Sequence, residues 1–162
     1  MKTLEIIGEN SSGAWKHVRT ACRGVVTRGG LLLLSYETVT GQWMLPGGGL
    51  EGGEDEAACC AREVAEETGL LIRPSACLLE IDEYYEDWKY INLYFAGDIL
   101  GQTEPRLTAR EREVGMEPRW LPLPEILEIF SGHARYAGVD EMRRGMYLRE
   151  YTALRECLNG GG

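Results

Sequence analysis

The order of patterns along this chain predicts an α/β fold, a mixed and partly antiparallel sheet sandwiched between helices. Two observations carry that expectation. Apolar runs of strand character come first, a helical stretch follows, then more strands, then two further helical stretches. No repeat, low-complexity tract or Pro/Ser-rich linker interrupts the 162 residues, so one domain spanning 1–162 is expected.

Taken in order, Thr20 to Thr27 and Leu31 to Tyr36 read as two strands joined by a tight turn at Arg28-Gly29-Gly30. Glu54 to Thr68 has helical spacing, with Ala57, Ala58, Ala61, Val64 and Ala65 sharing one side and Gly69 placed as a C-cap. Leu70 to Ile81 and Tyr90 to Ile99 read as strands, Ile91, Leu93 and Phe95 alternating with Asn92 and Tyr94. Gln102 to Glu113 is polar and reads as a long loop. A short strand ends at Trp120-Leu121, and Pro124 opens a helix that runs to Phe130. Asp140 caps a last amphipathic helix, about 140–158, whose stripe is Tyr147, Tyr151, Leu154 and Leu158, closed by Asn159-Gly160. That stripe suits the core or a second copy of the chain, so a homodimer stays open.

Charge narrows the partners. Against 17 Lys and Arg stand 26 Asp and Glu, a formal net charge of −9. Neither a nucleic-acid polymer nor an anionic membrane surface suits that balance, because both need basic stripes. A small anionic substrate is compatible, since bound cations reverse the local field. No apolar run approaches the about 18 residues of a membrane span, and the first residues lack a signal-peptide layout, so a cytoplasmic protein is expected. The cysteines Cys22, Cys59, Cys60, Cys77 and Cys157 show no CxxC spacing and read as free thiols. His17 and His133 stand alone and read as structural.

Residues 46–56, PGGGLEGGEDE, put five glycines against four carboxylates, and the helix they feed breaks a local rule. Its first acidic residues suit the positive end of the helix dipole, but Glu63, Glu66 and Glu67 lie at the wrong end. They are also i, i+3 and i, i+4 neighbours, so their charges repel, with Arg62 the only nearby counter-charge. The three fall within about a hundred degrees of arc, on the side away from the alanines. A solvated acidic face would account for the glutamates alone. Beside a loop whose bare backbone can offer a carbonyl, an oxygen-only cluster points to a hard cation.

Gly48, Glu54 and the run Arg62-Glu63-Val64-Ala65-Glu66-Glu67-Thr68-Gly69-Leu70 resemble the Nudix box of the Nudix hydrolases, with every specified position filled. Trp43-Met44-Leu45-Pro46-Gly47-Gly48 and Pro118-Arg119-Trp120-Leu121 are similar to the family's flanks. The resemblance implies a Nudix-type α/β/α sandwich and a Mg²⁺-dependent pyrophosphohydrolase, Mn²⁺ being a substitute, acting on a nucleotide or nucleoside diphosphate derivative. It implies Glu63, Glu66, Glu67 and the Gly47 carbonyl as metal ligands, Glu66 being ligand or water-activating base. Arg62 and Glu54 are implied to orient the glutamates and tie loop to helix, with Gly48 and Gly69 structural in the motif. A further loop carboxylate is expected from Glu113, with Glu111 as runner-up. Arg19, Tyr84, Tyr85 and Trp88, together with Tyr90, are candidates for binding the substrate; Arg23, Arg106 and Arg110 could also meet a phosphate. Two other functions stay in view, a nucleotide-sensing module without turnover and a diphosphate isomerase. The box is intact, and Cys59-Cys60 belongs to the box helix rather than to a strand-side catalytic position.

Overall fold

The computed structural model describes residues 1–159. In chain order the strands are β1 (Lys2–Ile7), β2 (His17–Val25), β3 (Thr27–Arg28), β4 (Leu31–Glu37), β5 (Gln42–Met44), β6 (Gly47–Gly49), β7 (Leu70–Tyr85), β8 (Trp88–Gln102) and β9 (Met116–Pro122). The helices are α1 (Glu56–Thr68), α2 (Ala109–Glu113), α3 (Leu123–Ser131) and α4 (Glu141–Asn159), with a short 3-10 turn at Gly132–Tyr136. Five strands form one sheet in the order β1-β7-β8-β2-β6, parallel at β1–β7 and β2–β8 and antiparallel elsewhere. In the second sheet β4 pairs with β9 along one edge and with β3 and β5 along the other.

Val26 is where the chain changes sheets, so the first expected hairpin is split. β2 pairs with β8, while β3 turns through Gly29 and Gly30, at φ 58° and 79°, to meet β4. That pair of positive φ angles is what a two-residue hairpin turn demands.

Apolar alternation buries both faces. Val25, Leu34, Ile81 and Tyr94 pack with Phe130 of α3 and Leu154 of α4. On the opposite side Cys22, Leu33, Leu93 and Phe95 pack with Cys60 and Val64 of α1. The result is the expected α/β/α sandwich. The inner stripe of α4 is spent on this core, and Asp140 caps that helix by accepting from the Arg143 amide at 3.0 Å. Gly160 lies outside the described residues.

Several expectations are corrected. β1, β5 and β6 are additional strands. Helix α1 begins at Glu56, not Glu54, because Asp55 is the N-cap and accepts from the Ala58 amide at 2.7 Å. The segment 102–113 is not one loop: β8 runs to Gln102, and Thr108 and Glu111 form a reciprocal capping box that starts α2. Among the described residues no helix is long and apolar enough to cross a membrane.

Candidate active site

Strand β6 consists of three glycines at the edge of the five-stranded sheet, and both faces explain the absence of side chains. A Cβ on Gly48 would lie 2.5 Å from the Glu63 carboxyl group, and one on Gly47 would lie 2.7 Å from Arg23 Cγ. We expect Gly48→Ala to displace Glu63 and to lower turnover about a hundredfold, the usual effect of a 1 Å misplacement, with kcat and far-UV circular dichroism as the readouts. The other end of the motif has its own constraint. Gly69 closes α1 at φ 74°, and a Cβ there would meet the Thr103 carbonyl at 2.6 Å.

The ladder leaves the free edge of β6 facing α1. Gly24 donates to Pro46 O and Leu50 to Thr20 O, so Gly47 and Gly49, paired with Arg23 and Ala21, point their backbone groups away from β2. Helix α1 fills that edge. The Gly47 amide donates to Glu67 Oε2 at 2.8 Å, and Arg62 Nη2 donates to Gly49 O at 3.1 Å.

Arg62 joins loop to helix. Its guanidinium grips Glu54 through Nε at 2.6 Å and Nη2 at 3.0 Å, and Nη1 reaches Glu63 at 2.9 Å and Glu66 at 3.2 Å. Such bidentate, charge-assisted pairs are the strong ones. The hydrogen bond from Arg62 is the main reason that Glu54 is held down to about 2. The sign follows from that: Glu54 supports the fold fully above about 4.5 and loses its contribution as pH falls toward 2. We therefore expect Glu54→Gln to flatten the acid limb of a thermal-stability profile between those values.

Glu67 is not on the exposed side of α1. It is 2% exposed, beside Val64, and takes Ser35 Oγ at 3.3 Å as well as the Gly47 amide. Burial pushes its pKa well up; the Gly47 amide opposes this, and the Glu111 and Glu63 charges add to it. Glu63 is raised too, first by burial, against Arg62 and with help from Glu66 and Glu111. The arc of the three glutamates thus straddles the helix margin, with Glu67 turned in and Glu66 turned out.

These groups suit a hard divalent cation in donor chemistry: carboxylate oxygens, a carbonyl at Gly47 outside the sheet ladder, and no nitrogen or sulfur ligand on the same point. Burial first, and the neighbouring carboxylates second, oppose the charges of Glu63 and Glu67. Arg62 divides the cluster here, holding Glu63 and Glu66 while Glu67 is held by Gly47 and Ser35. Among the described residues no three His, Cys, Asp or Glu side chains converge on one point.

The two loop carboxylates lie at opposite ends of α2. The Glu111 charge bears on both Glu63 and Glu67, whereas Glu113 is exposed at the end of α2. The capping box fixes this, since it puts Glu111 in the first turn with its carboxylate on the Thr108 amide at 2.8 Å.

The aromatic candidates are divided by the pleat. They lie within β7 and β8 rather than between strands, and alternation sends Tyr85, Trp88 and Tyr90 to one face with Arg19, Arg23 and Asn92. Trp88 and Tyr90 stack at 5.5 Å and 14°, and His17 sits 4.7 Å from Trp88. Tyr84 faces the other way, where it packs with Trp15 and Lys89, so it does not share a surface with the others. Arg110 lies on α2 and comes within 4.0 Å of Glu37, and Arg106 lies just before that helix, its amide donating to Glu66 O at 2.7 Å. Cys22, Cys59 and Cys60 are fully buried, and burial pushes all three thiols up, Cys60 to about 12, which suits packing and not chemistry.

A buried charge network behind the site is absent from the sequence expectations. Glu150 of α4 accepts from the Leu45 amide at 2.6 Å, from Tyr94 Oη at 2.7 Å and from Arg149 Nε at 3.0 Å. Arg149 also donates to Glu83 at 2.9 Å, and Asn92 links Glu83 to Arg23. Burial works against the Glu150 charge, but the Arg149 and Arg23 guanidiniums outweigh it and its pKa is lowered. Helix α4 thereby holds the segment entering the glycine strand.

Residues 16–141 match the NUDIX domain family. Among curated proteins, human diphosphoinositol polyphosphate phosphohydrolase NUDT4B is 28% identical over 106 residues, covering 64% of this chain. The chain covers 55% of that relative, about half its length. A NUDIX hydrolase from Nitrosomonas europaea superposes with a TM-score of 0.58 at 22% identity, over 85% of this chain and 90% of its own. The MutT protein from Methanosarcina mazei Go1 gives 0.56 at 23%, over 85% and 96%. At these identities the two structures are similar in fold.

Proposed function

This chain belongs to the NUDIX family, and on that premise we propose that it is a metal-dependent pyrophosphohydrolase cleaving the diphosphate linkage of a nucleotide or nucleoside diphosphate derivative. The observation that carries the reading is the free glycine edge of β6 set against Glu63 and the buried Glu67 on α1. The curated human relative is by name a phosphohydrolase of a polyphosphate, which agrees in bond type; its substrate stays with that protein.

Glu63, Glu66, Glu67 and the Gly47 carbonyl would hold Mg²⁺, or Mn²⁺ in its place. When bound, such a cation supplies neutralisation of the diphosphate oxygens and lowers the pKa of water. The protein's own residues do the rest. Arg62 sets the rotamers of Glu63 and Glu66 while fastening Glu54 and Gly49, so loop and helix meet in one geometry. To Glu66, the most exposed of the three glutamates, and to a loop carboxylate, Glu113 or Glu111, we assign the removal of a proton from the attacking water. On the sheet face, Arg19, Tyr85 and Trp88, with Tyr90, are the residues we assign to substrate. Five free thiols agree with a reducing compartment, and we place the protein in the cytoplasm. A homodimer would need a surface other than the inner stripe of α4; light scattering reads it.

The test is release of phosphate or pyrophosphate from a panel of nucleoside triphosphates, sugar nucleotides and dinucleoside polyphosphates, with Mg²⁺ and with Mn²⁺. We expect turnover of at least one class, abolished by a chelator. No release from any of them with either metal would overturn the proposal.

A further inference from the structure

Helix α2 buries none of its residues, so no apolar core of its own fixes how it is turned. It is hung at both ends. Just before it, the Arg106 amide donates to Glu66 O at 2.7 Å. Just after it, the Val114 and Gly115 carbonyls accept from the Val39 and Thr38 amides at 3.0 and 3.1 Å. Attachments at the two ends leave rotation about the helix axis undetermined. That rotation matters, because the half-buried side of the segment is Leu107, Glu111 and Val114, and the Glu111 charge bears on Glu63 and Glu67.

Beside α2 stands a group that nothing so far explains. Glu37, the last residue of β4, is 1% exposed, yet its Oε2 has no hydrogen-bond partner among the described residues. The other oxygen, Oε1, accepts from Thr40 Oγ1 at 2.7 Å. Glu37 lies on the same side of β4 as Ser35, whose hydroxyl meets Glu67, so it continues the row that leads away from the acidic cluster. A buried carboxylate oxygen without a donor is costly. The cation that faces it is Arg110 of α2, whose Nη1 lies 4.0 Å from Oε2 and which makes no other ion pair among the described residues. Closing that gap by about an ångström gives a charge-assisted hydrogen bond of ordinary length.

We propose that Glu37 and Arg110 form a clamp that sets the turn of α2 and thereby the approach of Glu111 to Glu63 and Glu67. Both are positioning residues, and neither touches the substrate. The pairing is asymmetric in a useful way: the carboxylate is rigid in a strand, while the arginine, with 72% of its side chain exposed, can swing in without losing much of its own hydration. The kinetic arm of the test rests on the hydrolase reading; its exchange arm does not.

The variants are Glu37→Gln, which keeps an acceptor for Thr40, and Arg110→Met on the surface, with Arg73→Met on the exposed side of β7 as a control for net charge. Arg110→Met keeps the test open should Glu37→Gln disturb the fold. We expect kcat to fall about tenfold in both test variants with KM within about twofold, the mark of a misplaced group and not of a lost substrate contact. The double variant falls no further than either single one, Arg110→Lys recovers part of the loss, and Glu37→Gln adds nothing to Glu111→Gln. A rise in KM for Arg110→Met alone makes Arg110 a phosphate contact and overturns the clamp. So do additive losses, or an unchanged kcat in Glu37→Gln, Arg110→Met or Glu111→Gln. If the wild type turns over no substrate, the hydrolase reading fails, and hydrogen exchange of the backbone amides of 106–115 decides the clamp alone. Exchange about tenfold faster in Glu37→Gln and Arg110→Met than in the wild type and Arg73→Met sustains it, and equal rates overturn it.

Discussion

Glu67→Gln is expected to lower kcat by about a hundredfold or more while the fold survives. The side chain is buried at 2% exposure and accepts the Gly47 amide, a bond that a glutamine oxygen can keep at the same length. What the substitution removes is the charge. Burial and the neighbouring Glu111 and Glu63 carboxylates already oppose that charge, so the variant gives up a destabilising feature. The sign can be read from pH. A carboxyl whose folded pKa is raised favours the fold below the usual carboxylate range and loses that support as pH rises through the raised value. Thermal stability of Glu67→Gln at neutral pH should therefore equal or exceed that of the wild type, with a weaker pH dependence. Turnover near the wild-type rate would remove Glu67 from the reacting cluster.

Glu150→Ala should act on stability instead, with a loss of about 3–5 kcal/mol in denaturant unfolding, the cost of leaving a buried partner charge uncompensated. Glu150 is fully buried, Arg149 is 6% exposed, and Arg149 Nη2 already lacks a partner. Removing the carboxylate also strands the Leu45 amide and the Tyr94 hydroxyl. Glu150→Gln keeps acceptors for those two groups and should cost less than the alanine. Because the Glu150 pKa is lowered in the folded protein, its support is present above the usual carboxylate range and lost in acid. A loss below about 1 kcal/mol for the alanine would show that the network is not coupled to the fold.

The α1 helix and its Gly69 cap are legible from residue types and spacing, because each is set by contacts a few residues apart, whereas the Arg62 grip on Glu54 is implied by the resemblance to the Nudix box. Other features carry local signals of their own. Thr108 and Glu111 stand at capping-box spacing, so α2 was written into the polar segment 102–113. Glu150 falls three residues after Tyr147 and four before Leu154, on the apolar stripe of α4, which is where a buried carboxylate shows itself. Strand alternation, which runs to the end of β7 at Tyr85, separates Tyr84 from Tyr85. No local rule, however, foretells that β2 leaves one sheet at Val26, or that Arg19 and Arg23 lie over a glycine strand two dozen residues on; those depend on long-range pairing.

An edge strand with no side chains has nothing of its own to stop another chain's strand from docking on it. Here the guard is borrowed. Glu67 occupies the Gly47 amide and Arg62 the Gly49 carbonyl, so the residues assigned to chemistry also close the hydrogen-bonding positions through which two molecules would zip together. Variants at Arg62 should thus differ from those at Glu67 in solubility as well as in rate, since only glutamine in place of Glu67 keeps the strand covered.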